Sequence, residues 1–244
     1  MEVKQHLKSK QTFGNGLTPK IRSAIEQVNI ADIEKSFYKD YRVDAAINGS
    51  KFYAFGFAVT LNIFEELTEK FHLPFGALPP SLNVYEKKQL IFPNFPDNFC
   101  IPKGGLILKN QQPFARRSIF MKKRDDITKI DQEISKAYQA QKRSSGHFLS
   151  NIIHEWWHNV HLCSQKGKFN DNINPDRVFR KDIQTVLGSY AANSCSKMEI
   201  FAETMTKLLI QVLDSETLCI TNNPLNKLAN LPKSLAKFVE QELE

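Results

Sequence analysis

The amino-acid sequence predicts an α+β fold, and three observations support this class. Apolar residues recur at helical spacing in several segments on both sides of a stretch rich in proline, residues 72–116. Short segments rich in β-branched and apolar residues lie within that stretch and directly after it. The chain has 244 residues, enough for one substantial domain with a buried core. Short strands followed by a mostly helical half indicate an α+β domain.

The chain is predicted to begin with a flexible polar arm, residues 1–16, followed by a single domain over 17–244. The first helix is predicted over 17–28, because Thr18 is a suitable N-cap and Pro19 occupies the first helical position. Two further segments have helical apolar spacing, 31–41 and 58–71.

The remaining elements follow from the same local patterns. Three short segments are predicted as strands: 81–85, 104–109 and 117–123. The second half is predicted to be helical over 126–142, 147–163 and 197–213, with a helical tail from about Pro232. The motif "RSSG" separates the first two of these helices.

Composition limits the classes of partner. The net charge is +7, but the lysines are scattered and no basic stripe alternates with aromatic residues, so nucleic acid is not favoured as a partner. No apolar run approaches the ~20 residues of a membrane-spanning helix, and the N-terminus has no signal-peptide pattern. The four cysteines form no Cys-x-x-Cys pair and are interpreted as free thiols. We therefore expect a cytoplasmic protein, or one exported without a cleaved signal.

The segment "NIIHEWWHNV", residues 151–160, contains the pattern His-Glu-x-x-His. On a helix His154 and His158 lie one turn apart on the same face, so that both imidazoles can reach one metal ion. Glu155 is rotated by about 100° from His154, which allows it to take a proton from water at the open side of the metal. The alternative is a buried core helix whose histidines bond to backbone carbonyls.

A catalytic zinc site normally has three protein ligands, so one more is needed. His161 lies on another side of the helix and is interpreted as a surface histidine. After Glu155 the next glutamate is Glu199, and Glu203 follows one helical turn later. Three aspartates of the connecting segment remain competing candidates: Asp171, Asp176 and Asp182.

The motifs "HEWWH" and "SYAANSCSKMEIFAETM" resemble those of zinc metallopeptidases of the anthrax lethal factor type, which include small bacterial Pro-Pro endopeptidases. The resemblance covers residues 147–213. It implies a zincin-like domain with an active-site core over 117–213, in which a small mixed sheet packs on the active-site helix. It also implies that Glu199 is the third zinc ligand and that Tyr190 assists the oxyanion.

Together these patterns predict an endopeptidase with one Zn²⁺ per chain and a protein or peptide substrate. Zinc would lower the pKa of a water molecule toward ~7, and Glu155 would act as the general base. Glu203 is a candidate for orienting a ligand imidazole, with an exposed helix-surface carboxylate as the alternative. By analogy with zincins, 117–123 is expected to be an exposed edge strand that pairs with substrate, with an internal strand as the alternative.

Two other functions remain open. One is a catalytically inactive zincin-like binding module, acting on DNA-associated proteins because of the +7 charge. The presence of Glu155 argues against it, because a purely structural site has no use for a general base. The other is a structural zinc site, which is disfavoured because such sites are normally closed by four protein ligands.

Overall fold

A computed structural model describes residues 17–72, 78–92, 94, 96–109, 111–164, 171–194 and 196–243. The predicted arm, residues 1–16, lies outside the described residues. Within these ranges the chain combines α-helices with one four-stranded mixed sheet, which confirms the predicted α+β class. No helix in the same ranges is both long and apolar enough to cross a membrane.

The described elements alternate between helices and short strands in the first half and are helical in the second. The helices are α1 (Pro19–Gln27), α2 (Ile30–Tyr41), α3 (Lys51–Phe71), α4 (Ile127–Gln139), α5 (Ser150–Ser164), α6 (Arg177–Leu187), α7 (Ser189–Ser194), α8 (Lys197–Ile210) and α9 (Lys233–Leu243). The strands are β1 (Asp44–Ala46), β2 (Ser81–Tyr85), β3 (Asn98–Cys100) and β4 (Ile119–Lys122). Two 3₁₀ helices span Lys87–Gln89 and Pro224–Asn230.

Local signals located several helix starts correctly. The Thr18 hydroxyl accepts a hydrogen bond from the Ile21 N–H at 3.3 Å, so Thr18 caps α1 as predicted.

Helix α3 begins seven residues earlier than the predicted residue 58. Gly56 in this added part allows α3 to approach α5, because a Cβ there would lie 2.3 Å from Ile152 Cδ1.

Other elements differ from the sequence prediction. The segment 104–109 is not a strand, because it forms only the isolated bridges Leu90–Leu108 and Gly105–Phe114. Strands β1 and β3 have three residues each, too few to show a period of two. Helices α6 and α7 lie between residues 163 and 197, where the sequence predicts no element, although Asp176 caps α6.

The sheet has the strand order β1-β2-β4-β3. Strand β1 runs parallel to β2, and β2 runs parallel to β4. Strand β3 runs antiparallel to β4 and forms one edge of the sheet, and β1 forms the other. The expectation that 117–123 forms an exposed edge is therefore wrong, because β3 returns alongside β4 and makes it an inner strand.

Each face of the sheet packs on different parts of the chain. One face belongs to the main core with α3 and α5, where the Phe64 ring lies 5.7 Å from Trp156 and 4.7 Å from Trp157, centroid to centroid. The other face belongs to a smaller cluster, formed by Tyr85, Leu90, Phe99, Ile101, Ile107, Leu108 and Phe120. Helix α5 is thus buried between the sheet, α3 and α8.

The start of α7 is attached to the segment that follows α4. The Ser189 N–H donates to the Gln141 carbonyl at 2.8 Å, and the Tyr190 N–H donates to the Lys142 carbonyl at 3.2 Å. Gly188 makes this approach possible, because its φ is +96° and an added Cβ would lie 2.5 Å from the Gln141 oxygen. Any other residue would strain the backbone there.

We expect Gly188→Ala to lower the free energy of unfolding by about 2–4 kcal/mol, through backbone strain and the contact with Gln141. Urea denaturation followed by circular dichroism measures this change. Gly105→Ala is the matched control, because Gly105 has no positive φ and a Cβ there meets nothing within 4 Å. Equal losses in the two variants would contradict the role assigned to Gly188.

Candidate metal centre

Helix α5 brings His154 and His158 together as its periodicity predicts. Both side chains are buried, and their ring centroids lie 4.5 Å apart with an interplanar angle of 88°. The apolar residues around them fix α5 in the core, so the imidazoles have little freedom to turn away. The two rings therefore present a fixed pair of nitrogen donors.

Glu199 reaches the same place from the first turn of α8. The helix begins at the N-cap Ser196, whose hydroxyl accepts a hydrogen bond from the Glu199 N–H at 3.2 Å. Glu199 Oε2 lies 3.1 Å from His154 Nε2, and its Oε1 lies 3.4 Å from His158 Nε2. Burial alone would raise the pKa of Glu199, but His158 and His154 hold it well below its ordinary value.

These three residues fit a divalent metal ion. Each offers one donor atom, and the three atoms lie within 4.8 Å of one another. In a tetrahedral zinc site, neighbouring ligand atoms are about 3.3 Å apart. The distances from the Glu199 oxygens to His154 Nε2 and His158 Nε2, 3.1 and 3.4 Å, are close to this value. Nδ1 of His158 has no hydrogen-bond partner among the described residues, and Nδ1 of His154 faces the Glu203 carboxylate at 3.5 Å, so in both rings Nδ1 can carry the proton while Nε2 binds metal. Two imidazoles and a carboxylate suit zinc and also iron(II).

Glu203, one turn after Glu199, is buried and lies behind His154. Its Oε1 is 3.5 Å from His154 Nδ1 and accepts a hydrogen bond from Arg143 Nη1 at 2.7 Å. Its Oε2 accepts from the Ser144 N–H at 3.0 Å and from the Ser144 hydroxyl. Burial would raise the pKa of Glu203, but the charges of His154 and Arg143 lower it. Glu203 is therefore not the exposed surface carboxylate of the alternative interpretation.

Tyr190 lies beside the same group, on α7. Its ring centroid is 6.5 Å from that of His154, and its phenol lies near the Glu199 carboxylate. Burial and the charge of Glu199 raise the pKa of Tyr190, so the phenol is neutral at physiological pH and can donate a hydrogen bond. The side chain is 38% exposed, so it also faces solvent at the mouth of the site.

Glu155 is buried on the side of α5 that faces the edge strand β3. Burial raises the pKa of Glu155 to about 7, with the nearby charge of Glu199 acting in the same direction. His158, Arg143 and a hydrogen bond from the Cys100 backbone N–H oppose the rise. Glu155 Oε2 has no hydrogen-bond partner among the described residues. A metal ion would favour the carboxylate form.

His161 is not part of this group. Its Nε2 lies 2.8 Å from Glu242 Oε2 of α9, and its ring stacks on Phe201 at a centroid distance of 4.5 Å. The side chain is fully buried, so the interpretation as a surface histidine is wrong. The sequence could not show this, because the partner Glu242 lies 81 residues away.

The three competing aspartates contact other groups in the structure. Asp171 accepts hydrogen bonds from the Ser196 hydroxyl at 2.6 Å and the Met198 N–H at 2.9 Å. Asp176 caps α6. Asp182 accepts from the Ser234 hydroxyl at 2.5 Å. Each aspartate thus has a structural role away from the two imidazoles.

The cysteines also stay outside the metal-binding group. Cys100, Cys163 and Cys219 are free thiols, as predicted, and Cys195 lies outside the described residues. Cys100 is buried near Glu155, and burial raises the pKa of its thiol well above the ordinary value. Among the described residues the group that can hold a metal therefore consists of His154, His158 and Glu199.

Sequence reasoning missed the segment between α4 and α5. Arg143 and Ser144 lie in the "RSSG" motif, for which the sequence predicts only a break between helices. Both contact Glu203, about 60 residues further along the chain. No local pattern marks such a contact. A lone arginine beside a helix break would have been the only available signal.

No protein-family model, no curated protein and no solved structure matches this chain. The resemblance to lethal factor-type metallopeptidases therefore rests on the motifs of residues 147–213.

Proposed function

We propose that this protein is a zinc-dependent endopeptidase with a zincin-like domain. One observation carries the proposal: His154, His158 and Glu199 converge from two helices, with the buried carboxylate of Glu155 beside them. Three protein ligands leave a fourth position open, which a catalytic site needs and a structural site lacks. The His-Glu-x-x-His pattern and the motif around Glu199 add the resemblance to known peptidases.

His154, His158 and Glu199 would bind one zinc ion per chain. When bound, zinc supplies a Lewis acid that lowers the pKa of water toward ~7 and polarises the substrate carbonyl. Glu203 keeps the His154 ring in place by facing its Nδ1 at 3.5 Å. That contact favours the tautomer in which Nε2 is free to bind.

Glu155 is assigned the proton transfers. Its carboxylate takes a proton from water as the water oxygen attacks the scissile carbonyl carbon. As the C–N bond breaks, Glu155 returns that proton to the leaving amine nitrogen. Its unpartnered Oε2 and its burial suit this role, because no competing protein contact holds that oxygen.

Tyr190 is assigned to the oxyanion. Its neutral phenol can donate a hydrogen bond to the oxygen that becomes negative as the carbonyl is attacked. Its ring lies 6.5 Å from that of His154, centroid to centroid, and the partial exposure of the residue leaves room for substrate.

The edge strand β3 is the structural feature best suited to hold an extended substrate. On the side of β3 that faces β4, the Lys122 N–H donates to the Asp97 carbonyl at 2.8 Å, and the Ile101 N–H donates to the Ser118 carbonyl at 3.0 Å. In an antiparallel pair, alternate residues direct their backbone N–H and C=O groups to opposite sides of the strand, so those of Asn98 and Cys100 face away from β4. Besides burial, the nearby charge of Glu155 raises the pKa of the Cys100 thiol, so this edge borders the candidate catalytic carboxylate. A substrate strand added there would bring its carbonyls to the site.

The metal assignment predicts that the purified protein contains about one zinc per chain. His154→Ala, His158→Ala and Glu199→Ala should each lose most of it, since two ligands hold zinc far more weakly than three. Elemental analysis after dialysis measures the content. Asp171→Asn, Asp176→Asn and Asp182→Asn are the controls and should keep zinc. Full zinc in Glu199→Ala, or loss in an aspartate variant, would contradict the ligand set.

The general-base assignment predicts that Glu155→Gln keeps zinc and the fold but loses peptide cleavage by at least ~10²–10⁴-fold. Glutamine preserves the size of glutamate but cannot take a proton at neutral pH. A peptide library first identifies a cleaved sequence, and the rates of parent and variant are then compared on it.

Equal rates for the parent and Glu155→Gln would contradict the role of Glu155. A zinc-loaded parent that cleaves neither the library nor any protein in a cell extract would instead support the inactive binding module. The extract comparison uses Glu155→Gln as the reference, so that only fragments specific to the parent count as cleavage.

A further inference from the structure

We propose that Arg143 is a positioning residue that holds Tyr190 and Glu203 in one arrangement around the metal centre. The inference deepens the proposed peptidase function and rests on it for the roles of these two residues. The side chain of Arg143 contacts Glu203 and Tyr190, neither of which is among the three candidate metal ligands. It acts through the two side chains that it touches.

The Arg143 guanidinium contacts both side chains at once. Nη1 donates to Glu203 Oε1 at 2.7 Å, and Cζ lies 4.0 Å from the centroid of the Tyr190 ring. Glu203 Oε1 in turn lies 3.5 Å from His154 Nδ1, and the Tyr190 ring lies 6.5 Å from that of His154, centroid to centroid. One cation thus supports a histidine ligand through Glu203 and the candidate oxyanion donor through the ring of Tyr190.

The backbone around Arg143 is attached to the same two elements. The carbonyls of Gln141 and Lys142 accept hydrogen bonds from the first residues of α7, and the Ser144 N–H donates to Glu203. Four consecutive residues, 141–144, therefore contact either the helix of Tyr190 or the carboxylate of Glu203. The Arg143 side chain begins from a fixed backbone, as a positioning residue requires.

Arginine is suited to this double contact in a way that lysine is not. A guanidinium is planar, so it can lie over an aromatic ring while its edge donates to a carboxylate. A lysine ammonium can neutralise Glu203 but cannot lie flat on the ring of Tyr190. Arg143→Lys therefore separates the two contacts, whereas Arg143→Met removes both.

The first experiment is a double-mutant cycle with Tyr190→Phe on a cleaved peptide. Arg143→Lys should lower kcat by about tenfold with KM within about twofold, because the transition-state contact of Tyr190 is misplaced. In the Tyr190→Phe background, Arg143→Lys should lower kcat by less than about twofold, since the hydroxyl is already absent. A tenfold loss in both backgrounds would overturn the action of Arg143 through Tyr190.

The second experiment needs neither activity nor metal. In protein with ¹³C-labelled tyrosine rings, the Tyr190 signal is assigned by its absence in Tyr190→Phe. Arg143→Lys should shift or broaden that signal and leave the other tyrosine signals in place, which also shows that the fold is intact. An unchanged Tyr190 signal would overturn the proposal even if the peptidase function fails.

The third experiment measures zinc affinity by competition with a chelator. Arg143→Lys should bind zinc within about threefold of the parent, while Arg143→Met and Glu203→Gln should weaken binding by about 10–100-fold. Arg143→Met that binds as tightly as the parent would overturn the link through Glu203. Arg22→Lys is the matched control, because Arg22 contacts the exposed Thr128 at 3.2 Å and should change none of the three readouts.

Discussion

The candidate site depends on the packing of α5 against α8. His154 and His158 come from one helix and Glu199 from the other, 45 residues from His154, so only this helix pair brings the donors together. The contact is built from large apolar side chains, with the Trp157 and Phe201 rings 6.2 Å apart. Because a close-packed core transmits small displacements, a shift of α8 would move Glu199 away from both imidazoles.

Burial of charge is the second constraint, and it follows from the first. The α5–α8 contact brings the carboxylates of Glu155, Glu199 and Glu203 into one part of the protein interior. Like charges at such a position are costly unless cations neutralise them. Arg143 compensates Glu203, and a divalent ion between Glu199 and the imidazoles would compensate the rest. Charge as well as geometry therefore allows the group of His154, His158 and Glu199 to hold a metal ion.

Sequence patterns predicted elements that depend on local residues reliably. They did not predict the pairing of segments that are distant in the chain. Helices with caps or strong apolar spacing, and the five-residue strand β2, were found close to their observed bounds. The three-residue strands β1 and β3 were missed, because so short a segment shows no alternation. The edge position of β3 also depends on its return alongside β4 across the intervening loop, which no local pattern records.

The sequence by itself determined the α+β class and the relation of His154, Glu155 and His158, because helix geometry sets the direction of side chains one and four residues apart. It also restricted the candidates for a third metal ligand to Glu199 or one of a few aspartates. Tertiary structure alone decided which of these faces the imidazoles, and it alone placed Arg143 and the Cys100 backbone beside the site. The physical reason is that contacts between elements depend on packing of the whole core, whereas contacts within a helix depend only on its own backbone.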